Sequence, residues 1–253
     1  MSNALGSVEW FQPVLKGGPP TIKNHTVTAH NGILYCFGGY DGHVNHMSLL
    51  IYSVEKQQWT TVLSEGEHES AHESNRALRY HNTGRRGNGN NTNTRFEHEE
   101  MEDQDTITMI GNPPPGRNGH TATLAKRKIN NEERVCIFII GGWLGSGPYA
   151  ADDLHILDIT NPTELTWLPT RQPHGNTPGP CNMHSADLIP NKNEIYVFRG
   201  GNGCEYLNEL HALNVDDLTW RNVPTKGEVP QQRANHSSAF LEDTGQLFIF
   251  GGW

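Results

Sequence analysis

The chain has 253 residues, and its 34% hydrophobic content with 27 glycines is typical of many short strands joined by turns. Its formal net charge of −9 at pH 7 argues against a protein that neutralises nucleic-acid phosphates or docks on an anionic membrane. No apolar run approaches the roughly 18 residues of a membrane span, and no basic-then-apolar signal opens the sequence, so we expect a cytoplasmic or nuclear protein.

One pattern occurs four times along the chain: a proline, then six residues later a histidine that is followed by serine or threonine. An apolar run that ends in Gly-Gly comes next. The four proline–histidine pairs are Pro19/His25, Pro114/His120, Pro178/His184 and Pro230/His236. The apolar runs are residues 33–37, 135–140, 195–198 (followed by Arg199) and 247–250. Recurrence at this spacing indicates one supersecondary unit that is used several times.

A short strand and then a tryptophan complete the unit in its first three copies. The strands are residues 48–54, 153–159 and 209–215, and the tryptophans are Trp59, Trp167 and Trp220. Paired glycines after an apolar run, an Asp-Leu-His or Glu-Leu-His strand and a spaced tryptophan resemble the kelch motif over nearly the whole chain. The resemblance implies an all-β, kelch-type β-propeller built from four-stranded antiparallel blades.

Each repeat is predicted to contain four strands, named a to d in chain order. Strand a begins at the His-Ser/Thr pair, strand b is the apolar run, and strand d carries the tryptophan. A continuously apolar strand b indicates burial on both faces by neighbouring blades. The glycine pair predicts a place where the backbone approaches a neighbour. We expect the repeated histidine to bond to backbone at the turn into strand a, and not to bind metal.

The repeats divide the chain into one segment per blade and leave the last blade short. We assign residues 19–63, 113–172 and 173–226 to blades 1 to 3, and residues 227–253 to a partial blade 4. Residues 1–18 contain Glu-Trp-Phe-Gln at 9–12, which resembles a strand d and is a candidate for closing the ring. We expect an incomplete or truncated ring, with a four-bladed ring or a closed dimer as alternatives.

Residues 64–112 form an insertion of different composition, with ten acidic and five basic side chains and few apolar ones. Such a segment cannot repay its ordering entropy, so most of it is expected to be disordered. It contains His68, Glu69 and His72 in an H-E-x-x-H spacing. A zinc protease needs this motif on a packed helix, which the polar flanks do not indicate. We interpret the motif as a chance match and predict neither a metal site nor a cofactor.

Strand alternation places the b–c loops and the approaches to strand a on one face of the propeller. Aromatic side chains on glycine-rich loops are the type that anchors protein interfaces. Arginines on the approaches can receive a carboxylate, or else bond to strand-end carbonyls of the next blade. The candidate partner-binding residues are Tyr40, His43, His46, Arg117, Trp143, Tyr149, Tyr206 and Arg233.

The resemblance implies a non-catalytic module that binds a protein or peptide through this face, as an adaptor or scaffold. Two alternatives stay open at this point. One is a metal-dependent kelch-like enzyme of the oxidase or specifier type, and the other is a purely structural piece of a larger propeller. An open ring also predicts self-association through its exposed edges.

Overall fold

The structure is a computed structural model that describes residues 21–62, 107–169 and 174–253. In these ranges the chain forms sixteen strands in four sheets, and each sheet is one blade. Blade 1 has its strands in chain order, each antiparallel to the next. They are β1 (Thr26–His30), β2 (Ile33–Phe37), β3 (Leu49–Ser53) and β4 (Gln58–Val62).

Blades 2 and 3 repeat this antiparallel meander and add a short strand at the outer edge. Blade 2 contains β5 (Thr108–Ile110), β6 (Thr121–Ile129), β7 (Glu132–Ile140), β8 (Leu154–Asn161) and β9 (Glu164–Trp167). Blade 3 contains β10 (His174–Gly175), β11 (Ser185–Ile189), β12 (Glu194–Phe198), β13 (Leu210–Asn214) and β14 (Thr219–Asn222). Blade 4 consists of the antiparallel pair β15 (His236–Leu241) and β16 (Gln246–Gly251).

The first strands of the four blades, β1, β6, β11 and β15, are neighbours in space, so the blades stand side by side around an axis. The described residues confirm the predicted all-β propeller, and its ring is not closed. No helix in the described part of the chain is long and apolar enough to span a membrane.

The outer strands β5 and β10 were not predicted. β5 runs parallel to β9, and β10 runs parallel to β14. In blades 2 and 3 the chain therefore pairs with strand d of the blade before it forms strand a. Thr108–Ile110 therefore belongs to blade 2, whereas the sequence placed it in the insertion 64–112. Most of that insertion, residues 64–106, lies outside the described residues, as do residue 63, residues 1–20 and residues 170–173.

The apolar faces of blade 2 are covered on both sides. Ile137 and Ile139 pack towards blade 1, and Phe138 and Ile140 pack towards blade 3, all almost fully buried. Burial of one such side chain contributes roughly 1.5–3 kcal/mol. This two-sided burial explains why strand b is continuously apolar, as predicted.

The repeated tryptophan fills the space between blades, as predicted. The ring centroid of Trp167 in blade 2 lies 5.5 Å from that of Phe37 in blade 1. Its indole Nε1 lies 3.2 Å from the sulfur of Met109 on β5, so the outer strand provides the partner for the buried N–H. Trp220 is buried in the same way between blades 3 and 2.

The Gly-Gly pair allows the next blade to come close. Gly141 has a φ of +60°, and a Cβ there would lie 2.3 Å from the carbonyl oxygen of Cys181 in blade 3. The neighbouring Gly142 N–H donates to that same carbonyl over 2.8 Å. The predicted close approach of backbones is thus confirmed, and a larger residue at 141 would separate the two blades.

The repeated histidines connect neighbouring blades through side chains. The ring Nε2 atoms of His120, His184 and His236 lie 2.9, 3.0 and 3.0 Å from hydroxyl oxygens of the preceding blade. Those hydroxyls belong to Thr26, Thr121 and Ser185, the first strand-a residues after the equivalent histidines. The sequence predicted a backbone partner and did not predict these hydroxyls, which a neighbouring strand a brings within reach of each ring.

These histidines are buried, and burial disfavours the charged ring. Burial lowers the pKa of His120 to about 3, and the nearby Arg117 charge acts in the same direction. Burial likewise lowers the pKa of His184 to about 3. The folded chain therefore keeps both rings neutral at pH values where an unfolded histidine is charged.

Mild acid is expected to destabilise the fold through these two rings. Their pKa values are lower in the folded state than the unfolded value of about 6.5, so the unfolded state takes up the extra protons. The contribution of the two neutral rings to the free energy of unfolding is fully present above pH 6.5 and is lost as the pH falls towards 3. Two such groups predict a loss of about 2–3 kcal/mol between pH 7 and pH 5.5, measured by urea unfolding with tryptophan fluorescence.

The variant His184→Gln removes one of the two titrating rings, so it is expected to halve, roughly, the loss of stability between pH 7 and pH 5.5. His43→Gln, on an exposed loop, is the matched control and should leave it unchanged. A flat stability profile between pH 7 and pH 5.5 would contradict the neutral, buried state of the two rings.

Candidate functional site

The candidate site is one face of the propeller, which we call the loop face. It comprises the loops between the second and third strands of blades 1 to 3, residues 38–48, 141–153 and 199–209. It also includes the short approaches to β6, β11 and β15. These segments lie together because the first strand of every blade starts at the same end. In an antiparallel meander, the turn between the second and third strands then lies at that end too.

The loop of blade 1 is organised by Asp41. Its carboxylate accepts the backbone N–H groups of His43 and Val44 over 2.7 and 2.8 Å. The same carboxylate lies 2.9 Å from the ring of His46. The two backbone N–H donors, together with His46, hold the pKa of Asp41 well below its usual range. The result is a folded loop that presents His43 to solvent and restrains His46.

The loops of blades 1 and 2 are joined by an asparagine bridge. The Asn45 amide donates to the carbonyl of Trp143 over 2.9 Å, and the amide of Asn118 donates to the Asn45 side-chain oxygen over 2.8 Å. Tyr40 is restrained on the same side, because its hydroxyl donates to the carbonyl of Gly42 over 2.8 Å. Tyr40 and Trp143 are therefore half-buried parts of the loop framework.

The exposed aromatic surface comes from blades 2, 3 and 4. Tyr149 is 57% exposed, Tyr206 is 44% exposed and Trp253 is 63% exposed. The indole N–H of Trp253 donates to the Tyr206 hydroxyl over 2.7 Å, which ties the last residue of the chain to the loop of blade 3. Trp253 was not among the predicted site residues. The sequence signal that could have identified it is its position directly after Gly-Gly, which is the position of Tyr40 in blade 1.

Arg117 is not part of the exposed surface, and the prediction that it receives a partner's carboxylate was wrong. Its side chain is fully buried. The guanidinium donates to both carboxylate oxygens of Asp153 over 2.6 and 2.9 Å and to the carbonyl of Gly141 over 2.8 Å. A buried guanidinium requires such a bidentate partner. Arg117 thus fixes the start of strand β8.

Asp153 also lies 2.8 Å from the ring of His155. Burial raises the pKa of this carboxyl, but the hydrogen bonds with His155 and Arg117 outweigh burial and hold the pKa well below its usual range. The group is therefore a charged structural anion. We call this arrangement, an arginine bonded to the carboxylate that precedes the third strand of a blade, the entry clasp.

Blade 3 builds its entry clasp from different positions. Cys181 stands where blade 2 has Arg117, and Arg199 stands where blade 2 has Gly141, because Ser185 pairs with Phe198 as Thr121 pairs with Ile140. Arg199 lies 3.5 Å from Glu209, the residue before β13, and donates to the Pro180 carbonyl over 3.3 Å. The Gly-Gly pair of this repeat is consequently displaced by one residue relative to blade 2.

Arg233 occupies the position of Arg117 in blade 4 and is half-exposed. Its guanidinium donates to the carbonyls of Gly251 and Gln231 over 2.8 and 3.1 Å. The sequence left two partners open for this arginine, a carboxylate of a binding partner or carbonyls of the next blade. Arg233 does bond to carbonyls, but they belong to its own blade.

The described strands on either side of residues 63–106 meet that stretch at different ends of their blades. Strand β4 ends at the loop face, but β5 runs parallel to β9 and so begins at the opposite end of blade 2. The ends of residues 63–106 are therefore attached at opposite faces.

Among residues 21–62, 107–169 and 174–253, no three His, Cys, Asp or Glu side chains converge as metal ligands would. The H-E-x-x-H residues His68, Glu69 and His72 lie outside those ranges. Two acids of the loop face, Asp41 and Asp153, are engaged in the hydrogen bonds described above, and Asp152, Glu205 and Glu209 lie exposed on the same face.

Antiparallel blades packed face to face define the class of β-propeller proteins. The family model described as the KLHDC2/KLHL20/DRC7 Kelch-repeats domain matches residues 132–253, and the Kelch motif model matches residues 22–62. Together these matches cover more than half of the chain. The chain belongs to the kelch-repeat family of β-propeller proteins.

Three relatives show the range of proteins that carry similar repeats. The chain is 32% identical over 152 residues to the Rab9 effector protein with kelch motifs of Bos taurus, covering 58% of this chain and 37% of the relative. It is 28% identical over 156 residues to Host cell factor of Drosophila melanogaster, covering 56% and 10%. It is 24% identical over 274 aligned positions to Host cell factor homolog hcf-1 of Caenorhabditis elegans, covering 97% and 33%. The chain thus spans only about a tenth to a third of the length of most of these relatives.

The two equivalent arginines are expected to respond differently to the same substitution. Arg117→Lys should destabilise the fold by about 2 kcal/mol, because a lysine cannot bind both carboxylate oxygens of Asp153 and the Gly141 carbonyl together. Arg233→Lys is the matched control and should cost less than about 0.5 kcal/mol, since this site is half-exposed. Urea unfolding of both variants measures the difference, and equal effects would contradict a structural role for the clasp.

Proposed function

We propose that this chain is a non-catalytic interaction module that binds a protein or peptide through the loop face, as an adaptor or scaffold in the cytoplasm or nucleus. The observation that carries the proposal is the set of exposed aromatic side chains on loops that hydrogen bonds hold in place. Tyrosine and tryptophan on a rigid support provide contact area at low entropic cost, and they dominate measured interface energies.

The restraint of these loops favours binding without large rearrangement. Asp41 fixes the loop of blade 1, and the Asn45 bridge fixes it to the loop of blade 2. The Trp253–Tyr206 hydrogen bond extends the surface to blades 3 and 4. An extended peptide or a loop of a partner protein suits a surface that crosses several blades.

The known relatives support a binding role at this coarse level. The bovine relative is named an effector protein of Rab9, which describes action through another protein. We extend that role to this chain as a proposal and leave the partner's identity to experiment. Catalysis is not part of the proposal.

Selection from a random peptide library on the immobilised chain tests the proposal. We expect enriched peptides to protect amides of residues 38–48, 141–153 and 199–209 in hydrogen exchange. The double variant Tyr149→Ala/Tyr206→Ala should weaken their binding at least about tenfold, since each aromatic is expected to act as an anchor.

The matched control carries Val54→Ala and Leu241→Ala, two exposed apolar truncations at the opposite end of the blades. This control should bind the selected peptides normally. Peptides that protect only the opposite face, or that bind equally well to both variants, would show that the loop face is not the binding surface.

A further inference from the structure

Tyr149 lies at a junction of two loops whose neighbours are described on both sides. Its loop belongs to blade 2, between blades 1 and 3, and the loop of blade 3 packs against it. The N–H of Ala150 donates to the carbonyl of Asn202 over 2.9 Å. A Cβ at Gly203 would lie 3.1 Å from the Cα of Tyr149. The exposed ring is therefore attached to backbone that both loops hold in place.

The two loops and the approaches beside them carry more acids than bases. Four acids against two arginines give a net charge of −2 over this part of the loop face, which is residues 111–119, 141–153, 176–184 and 199–209. Both arginines are already paired, Arg117 with Asp153 and Arg199 with Glu209. The charge of this surface therefore comes from the other two acids.

Those acids, Asp152 and Glu205, belong to the same two loops as the junction. Asp152 is exposed three residues after Tyr149. Glu205 is exposed in the facing loop, where its N–H donates to the side-chain oxygen of Asn202 over 2.9 Å. Its carboxylate accepts a long hydrogen bond of 3.5 Å from the Asn202 amide. In the described part of the chain, no lysine or arginine lies within ion-pair distance of either acid.

Tyr40 shows what a tyrosine ring on the loop face can accept. The ammonium of Lys23 lies 5.6 Å from the centroid of the Tyr40 ring, which is a cation–π distance. Lys23 reaches the ring because the two residues form a backbone bridge. The equivalent bridge residues in the approaches of blades 2 and 3 are Asn118 and Asn182, which carry no charge. Those approaches therefore supply no cation at this position.

We propose that Tyr149, Asp152 and Glu205 together bind an arginine in a basic segment of the partner protein. The guanidinium stacks on the Tyr149 ring, and its N–H groups donate to the carboxylates of Asp152 and Glu205. This inference rests on the proposed loop-face function and adds the chemistry of the partner.

Arginine suits this combination of groups better than lysine does. Its planar guanidinium can stack on an aromatic ring while its edge donates to carboxylates, whereas an ammonium is a compact point charge. A surface of net negative charge repels phosphates, which favours a protein segment over a nucleic acid. Attraction between opposite charges at an exposed site also predicts that binding weakens as salt is added.

Two random dodecapeptide libraries, which differ only in a central residue fixed as arginine or as glutamine, test the inference. Each library is selected on the immobilised full chain under the same conditions, and hydrogen exchange locates the bound peptides. We expect the arginine library to yield at least about tenfold more peptides that protect residues 141–153 and 199–209, because both contacts need the guanidinium.

The strongest arginine peptide is then synthesised with a fluorescent label, and its dissociation constant is measured by anisotropy. Exchange of its central arginine for glutamine should weaken binding about tenfold, and Glu205→Gln should weaken it about threefold. With the glutamine peptide, Glu205→Gln should have no further effect, because the same ion pair is already lost. Raising NaCl from about 50 to about 300 mM should weaken the arginine peptide at least about threefold.

The aromatic contact is tested by two substitutions of one residue. Tyr149→Leu keeps an apolar side chain but removes the aromatic face, whereas Tyr149→Phe keeps that face. The leucine variant should therefore bind the arginine peptide about threefold more weakly than the phenylalanine variant. Equal affinities would show that no cation stacks on the ring and would contradict the proposal.

A control and the library outcomes separate this inference from the proposed function. Glu55→Gln removes the same charge from an exposed turn at the opposite end of blade 1 and should bind the peptide normally. The unfolding midpoint of each variant is measured first. If both libraries yield loop-face peptides of equal affinity, the proposed function stands and the arginine site is wrong. If neither library protects the loop face, both proposals fail. Arginine peptides that bind the Glu205→Gln chain with undiminished affinity would also overturn the site.

Discussion

Contact between neighbouring first strands is the constraint on which the rest of this propeller depends. Each buried histidine places its ring against a hydroxyl of the preceding blade. Two residues further along their strands, the hydroxyls of Thr28 and Thr123 donate to carbonyls of the following blade over 3.3 and 3.2 Å. These bonds set the spacing at the axis, and the apolar faces can close against each other only at that spacing. Stability is therefore a sum over adjacent pairs of blades.

The entry clasp shows how a requirement can be kept while the residues that meet it change. Blade 2 takes its guanidinium from Arg117, and blade 3 takes it from Arg199 on a different strand. In both blades the cation reaches the residue before the third strand. Blades 2 and 3 therefore share a charge pair at the same place in space, whereas blade 1 has Ile22, Gly38 and Ser48 at the corresponding positions. The residue number that supplies the donor is free to vary.

Much of this architecture could be predicted from the sequence because its determinants are local. Apolar runs predicted the strands, Gly-Gly predicted the close approach at Gly141, and the spaced tryptophans predicted packing between blades. The exposed positions of Tyr149 and Tyr206 on glycine-rich loops agree with the expectation from their sequence context.

What could not be predicted was the partner of each polar group. Arg117 and Asp153 are 36 positions apart, and the position of Arg117 holds Ile22 in blade 1, Cys181 in blade 3 and Arg233 in blade 4, so the repeat pattern did not mark the pair. Strand β5 was missed because three residues carry no periodicity, and it is ordered by β9.

The parallel outer strand also determines where the long insertion can go. The chain leaves blade 1 at the loop face after Val62 and must reach the far face before it can enter β5 at Thr108. The two strands that border this stretch thus end on opposite faces of the propeller. Each is held by its own blade, β4 by β3 and β5 by β9, so these pairings do not depend on the stretch that joins them.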